Sequence, residues 1–114
     1  MLVQRAYELM IIFQGDVEDD ALNRILQQAG GMIDAGNGKV AKTDRWGKRR
    51  FAYEINHKWG GVYVVLEIVT EASNLDDVER MLRIADEVVR HKLIRLPDRE
   101  AARRGLVGAA PAQA

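Results

Sequence analysis

Between Arg5 and Phe13 the chain alternates with period two: Tyr7, Leu9, Ile11 and Phe13 share one face, and Glu8, Met10 and Ile12 share the other. This spacing predicts a strand, and the apolar Met10 and Ile12 on its second face predict a central place in a sheet. Gly15 ends it. The period then lengthens, with Leu22, Ile25, Leu26, Ala29, Met32 and Ile33 recurring at helical spacing. Asp16 is the expected N-cap, with Asp19 at the capping-box position and Glu18 and Asp20 at the positive end of the helix dipole. Gly30 and Gly31 each weaken a helix by roughly 1 kcal/mol relative to alanine, and are expected to permit close packing on the sheet. Gly36-Asn37-Gly38 is a helix stop and turn.

From Lys39 to Ile55 the pattern is one long strand broken near Gly47, with a bulge or bend expected at Trp46-Gly47. Beyond the break Arg49, Phe51, Tyr53 and Ile55 share a face, the last three being assigned to the core, while Lys48, Arg50, Ala52 and Glu54 point the other way. Asn56–Gly61 supplies a hairpin connection. Val62–Val69, apolar on both faces, predicts a second central strand. Ser73 and Asn74 are expected to cap a second helix, with Asp76 and Asp77 in its first turn and Val78, Met81, Leu82 and Ala85 as its buried stripe. Val88–Leu96, studded with Arg90, Lys92 and Arg95, has the character of an edge strand, and Pro97 ends it. The expected organisation is one domain over residues 1–96 and a flexible C-terminal tail over residues 97–114. The order βαββαβ predicts an α+β, ferredoxin-like fold: a four-stranded antiparallel sheet with two helices on one face. That fold hosts many functions, so function has to come from the residues.

Composition narrows the field. The chain has 114 residues, room for one hydrophobic core, and no cysteine, which excludes disulfides, thiolate metal sites and a cysteine nucleophile and fits a reducing cytoplasm. No apolar run approaches the roughly 20 residues a membrane helix needs. Seventeen basic and 17 acidic side chains cancel, whereas a protein that grips RNA alone usually carries a positive excess. Their distribution is uneven. Residues 39–58 carry Lys39, Lys42, Arg45, Lys48, Arg49, Arg50 and Lys58 against only Asp44 and Glu54, while the first 38 residues are mainly acidic. Such polarity predicts one face or end made for an anionic partner.

Catalytic chemistry finds no support. His57 and His91 are the only histidines, and no local spacing joins them to carboxylates as a metal site requires. Nucleophile elbow, phosphate loop and dinucleotide fingerprint are all lacking, and the acidic clusters Glu18-Asp19-Asp20 and Asp76-Asp77 open helices, where the dipole accounts for them. No enzyme, cofactor or metal is therefore expected. The segment Trp46-Gly47-Lys48-Arg49-Arg50-Phe51-Ala52-Tyr53 is different, because it sets three consecutive cations beside an indole. An arginine fork binds phosphate bidentately and stacks on bases, which suits an RNA backbone and its unpaired nucleotides. Trp46 is either a hydrophobic anchor or a stacking platform. Base stacking across the sheet is disfavoured, because Gly61–Ile68 offers only Tyr63 as an aromatic.

Four stretches carry a resemblance: Tyr7-Glu8-Leu9-Met10-Ile11-Ile12, Trp46 through Ile55, Gly61-Val62-Tyr63-Val64-Val65-Leu66-Glu67, and Glu87-Val88-Val89-Arg90-His91. In register from about Arg5 to Leu96, the chain closely resembles the bacterial small-subunit ribosomal protein six family. The resemblance implies a ferredoxin-like fold and a structural, non-enzymatic place in the small ribosomal subunit, hence in the cytoplasm. It also implies binding to the central domain of 16S ribosomal RNA as a heterodimer with the basic small-subunit ribosomal protein eighteen, with no membrane association. A basic partner would explain how a near-neutral chain holds RNA. On this reading Arg45, Lys48, Arg49, Arg50 and Lys58, with Arg90 and Lys92, are this chain's RNA contacts, positioning backbone rather than reading bases. Arg99, Arg103 and Arg104 in the tail are assigned to the partner protein. A ligand-binding regulatory module of the same fold is the alternative from another class, and calorimetry against amino acids discriminates it.

Overall fold

The computed structural model describes residues 4–55 and 58–106, without the side chains of residues 51–59. The expectations for the side chains of Phe51, Tyr53 and Ile55, for His57 and for Lys58 lie outside the described residues. Four strands form one antiparallel sheet: β1 (Arg5–Gln14), β2 (Lys39–Ile55), β3 (Lys58–Thr70) and β4 (Val88–Arg95), in the order β2-β3-β1-β4. Helix α1 (Asp19–Ala35) joins β1 to β2, and a 3-10 turn (Ala72–Leu75) leads into α2 (Asp76–Ile84) before β4. The two strands read as apolar on both faces, β1 and β3, are the central pair. This is the ferredoxin-like arrangement.

Both helices cover one face. Tyr7, Leu9, Ile11 and Phe13 of β1 and Val64, Leu66 and Ile68 of β3 meet Leu22, Ile25, Ala29 and Ile33 of α1 and Val78, Met81 and Leu82 of α2. Phe13, Leu9 and Ile11 are fully buried; each such side chain contributes roughly 1.5–3 kcal/mol by leaving water. The opposite face of the sheet carries no helix over most of its length.

The caps differ from those expected. Helix α1 begins at Asp19, and Glu18, not Asp16, stands at the N-cap in extended conformation without a side-chain hydrogen bond. Val17 packs against the core, and its backbone N–H donates to the Gln14 carbonyl at 3.0 Å, so the chain first turns inward and the helix starts later. Asp19 and Asp20 still lie in the first turn, where the dipole favours them. Neither Ser73 nor Asn74 caps α2, whose N-cap is Leu75. Asn74 instead reaches back to the end of α1, its Nδ2 donating to the Ile33 carbonyl at 3.0 Å and to Thr70 Oγ1 at 2.8 Å. There it joins the Gly36 and Gly38 N–H groups, which donate to the same Ile33 carbonyl at 3.2 and 2.9 Å, in closing the helix end.

Gly30 and Gly31 do not serve close packing, since a Cβ at either would meet nothing within 4 Å. Replacing both by alanine should therefore stabilise the chain by about 1 kcal/mol each, raising the melting temperature by several degrees in a calorimetric scan. No gain would mean the glycines have a role in the native packing.

Within the segment expected to be a tail, residues 98–106 form α3 (Asp98–Arg103) and a turn through Gly105, which takes φ +74°. The Leu106 N–H donates to the Ala101 carbonyl at 2.9 Å and that of Gly105 to Ala102 at 3.0 Å, a glycine-closed helix end. Ala101 and Leu106 bury themselves on Ala6, Val69 and Leu96, at one end of the helix-free face. Two apolar residues are too few to register as a periodicity.

Candidate nucleic-acid interface

Strand register sorts the side chains of the uncovered face into rows, because directly opposed residues point to the same side. Under α3 lie Val69 and Ala6. Next come Glu67 and Glu8, facing each other across β3 and β1 and followed by Ile94 on β4; then Asp44, Val65, Met10 and Lys92; then Gly47, Tyr63, Ile12 and Arg90; and finally Arg49, Gly61 and Gln14. The middle of the face is apolar, with Ile12 and Val65 buried and Met10 and Tyr63 half-buried. Its banks are cationic. Arg90 and Lys92 are exposed on β4 and Arg49 is exposed on β2. Three strand spacings separate those banks, about 14 Å.

The six described cations assigned to RNA are thus not one cluster. Arg45 and Lys48 pair with Val64 and Val62, which belong to the helix-covered side. An odd number of residues apart, they would oppose each other on a regular strand. The irregularity between Arg45 and Gly47, which absorbs Trp46, turns both the same way. Gly47 makes the bulge possible by taking φ +84°, a region glycine enters without the Cβ clash. Arg45 Nη2 donates to Asn23 Oδ1 of α1 at 2.5 Å. Arg50 opposes Gly60 near the hairpin and is exposed. Arg45, Lys48, Arg49 and Arg50 therefore wrap both sides of one sheet edge, while Arg90 and Lys92 hold the opposite edge.

The tail cations divide as well. Arg99 is exposed on α3. Arg103 hydrogen-bonds Glu100 through both Nε and Nη2. Arg104 reaches over the sheet: its Nη1 lies 3.1 Å from both Glu8 Oε1 and Glu67 Oε2, and its Nε lies 2.6 Å from Glu100 Oε2. Two carboxylates directly opposed on a sheet repel each other, so a single guanidinium between them explains how the Glu8–Glu67 pair is tolerated and what fixes α3. Hydrogen bonds from Arg103 and then from Arg104 hold the Glu100 carboxyl at about 2, well below its usual 4.5.

Two features escaped the sequence reading. Trp46, which the bulge turns onto the open face, lies parallel to Tyr63 with ring centroids 6.2 Å apart and planes within 2°. Among the described residues the face therefore carries two aromatics, not one. The Glu8–Glu67–Arg104 bridge joins three elements; its only sequence signal is a charged residue inside each central strand. Among the described residues no group of histidine, cysteine or carboxylate side chains is placed to hold a metal, and no helix is long and apolar enough to cross a membrane.

Fold and surface together define a ferredoxin-like domain with α1 and α2 on one side of the sheet and a cation-banked face on the other. The sequence model of the ribosomal protein S6 family matches residues 6–95, and the chain belongs to that family. It is 44% identical over 91 residues to the small ribosomal subunit protein bS6 of Carboxydothermus hydrogenoformans, covering 80% of this chain and 95% of that one. With bS6 of Alkaliphilus oremlandii it shares 41% identity over 90 residues, 79% of this chain and 95% of the relative. The crystal structure of 30S ribosomal protein S6 from Thermotoga maritima superposes with a TM-score of 0.78 at 30% identity, covering 90% of this chain and 96% of that chain. A homoserine dehydrogenase from Thiobacillus denitrificans shares the fold alone, at 16% identity and a TM-score of 0.57 over 18% of its length.

Proposed function

We propose that this chain is a structural, non-catalytic component of the small ribosomal subunit in the cytoplasm. It binds the central domain of 16S ribosomal RNA together with small-subunit ribosomal protein eighteen. The observation that carries this reading is the division of the helix-free face into an apolar floor and cationic banks. Half-buried Met10 and exposed Ile94 offer what a protein partner covers, and exposed cations on both edges remain for phosphate. A chain with zero formal net charge then needs a basic partner to supply the rest of the phosphate contacts. Arg45, Lys48, Arg49, Arg50 and Lys58 on the hairpin, with Arg90 and Lys92 opposite, position the RNA backbone. Since Arg103 and Arg104 are engaged within the chain, Arg99 is the tail cation that turns outward to the partner.

Filter binding of a central-domain RNA fragment, with and without the basic partner, tests this. Alone the chain should bind weakly; with its partner it should bind tightly, and affinity should fall steeply with salt as counterions are released. Changing Arg49 and Arg50 together to glutamate should weaken the ternary complex at least tenfold, about 1.4 kcal/mol. Unchanged affinity in that variant removes these residues from the interface. Failure of the wild type to bind with its partner refutes the function itself.

A further inference from the structure

The bulge that separates Arg45 from Gly47 also builds a small bay at the hairpin end of the open face. Its wall is Trp46, 41% exposed although it is held on two sides. Tyr63 stacks on it in parallel, and its Nε1 donates to Asp44 Oδ2 at 3.3 Å. An aromatic ring already fixed in orientation has little freedom left to lose when a ligand stacks on it. Beside the ring, among the described residues, stand two glycines. Gly47 has no side chain, a Cβ there would meet nothing within 4 Å, and Gly61 lies one row on, opposite Arg49. Arg49 is the next open-face position on β2, two residues from Gly47 and so about 7 Å along the strand. That is the order of the reach from a nucleobase to its own phosphate.

We propose that this bay binds one unpaired nucleotide of RNA, its base stacked on Trp46 and its phosphate held by Arg49. The proposal rests on the RNA-binding reading above and adds to it a base-stacking contact where that reading has backbone contacts only. Charge decides the class of occupant. Lys48, Arg49 and Arg50 follow the indole in an unbroken run, so a basic protein is repelled from this end of the face while a phosphate is drawn to it. Asp44, the acidic group beside the ring, already has one oxygen engaged with the indole N–H. Base–aromatic stacking contributes about 1–3 kcal/mol per base and tolerates any base, so the bay would add affinity without strong sequence preference.

The experiment uses the full chain with its basic partner and the central-domain RNA fragment, and compares wild type with Trp46→Leu, Trp46→Phe and Arg49→Gln. Trp46→Leu should weaken RNA binding about tenfold with an unchanged salt slope, because no phosphate contact is lost. Trp46→Phe, which keeps a ring, should stay within roughly threefold of wild type, and Arg49→Gln should reduce the salt slope by about one phosphate. In a Trp59→Phe background, where Trp46 is the sole indole, its fluorescence should be quenched on adding the RNA; this readout needs no change at position 46. A wild type that does not bind RNA with its partner overturns the underlying reading. Tight wild-type binding with equal affinity in Trp46→Leu and no quenching overturns the bay alone. Loss of partner-protein affinity by Trp46→Leu in the absence of RNA makes Trp46 a protein anchor and likewise overturns it.

Discussion

Replacing Gly38 by alanine should lower the unfolding free energy by about 3 kcal/mol, although the change adds one methyl group. The added Cβ would stand 2.3 Å from Thr70 Oγ1, 2.5 Å from Thr70 Cβ and 2.9 Å from Ile33 Cγ2. None of these atoms can withdraw cheaply, because Thr70 and Ile33 are both fully buried and Thr70 accepts the hydrogen bond from Asn74 Nδ2. Overpacking a core costs typically 1–3 kcal/mol, and leaving a buried polar group without its partner costs about 1–3 kcal/mol more. Urea denaturation should show a lower midpoint at unchanged slope. The control is Gly31→Ala, whose new methyl meets nothing. A Gly38→Ala loss below about 1 kcal/mol would show that the junction of α1, β2 and β3 repacks freely.

Arg104→Met should detach α3 and lower stability by about 2 kcal/mol. The guanidinium bridges Glu8, Glu67 and Glu100 with side chains roughly a quarter exposed or less. The loss should therefore fall between the 0–1 kcal/mol of a surface pair and the roughly 3–5 kcal/mol of a fully buried pair that loses one partner. Amide exchange at Ala101–Leu106 should accelerate well beyond that of the central strands. Acid should have a related effect in the wild type. The Glu100 carboxyl titrates at about 2 in the folded chain against an ordinary 4.5, so its ion pairs stabilise fully above pH 4.5. That contribution is lost progressively as pH falls toward 2. Glu100→Gln should flatten the dependence across this window, and an unaltered profile would assign the acid response to other groups. Slow exchange at Ala101–Leu106 in Arg104→Met would show that Ala101 and Leu106 suffice to hold the segment.

Much of the architecture was legible because it follows from period and punctuation. Tyr7 through Phe13 and Val62 through Ile68 are apolar on both faces, and they form the two central strands. Arg90, Lys92 and Arg95 mark β4 as an edge, and Gly47 marks the bulge. The caps were less legible. Asp16, Ser73 and Asn74 have the side chains of N-caps, but packing of Val17 moved one helix start, and the end of α1 claimed Asn74 from a distance of 41 residues in sequence. The helix in the tail was not legible for a similar reason. Its order depends on Arg104 meeting Glu8 and Glu67, 96 and 37 residues away.

What the sequence alone determined is the order of the four strands and two main helices, the buried stripes of β1, β3, α1 and α2, the lack of a cysteine or a catalytic motif, and the family. These depend on side chains near one another along the chain, where a period of 2.0 or 3.6 is enough to sort them. Only the tertiary structure decided how the surface is composed. One bulged residue reverses the parity of a strand, so it set Arg45 and Lys48 on the helix side and brought Trp46 onto Tyr63 on the other. Cross-strand register then placed Glu8 against Glu67 and gave Arg104 its seat. Register and parity are properties of pairing between distant segments, which local periodicity does not contain.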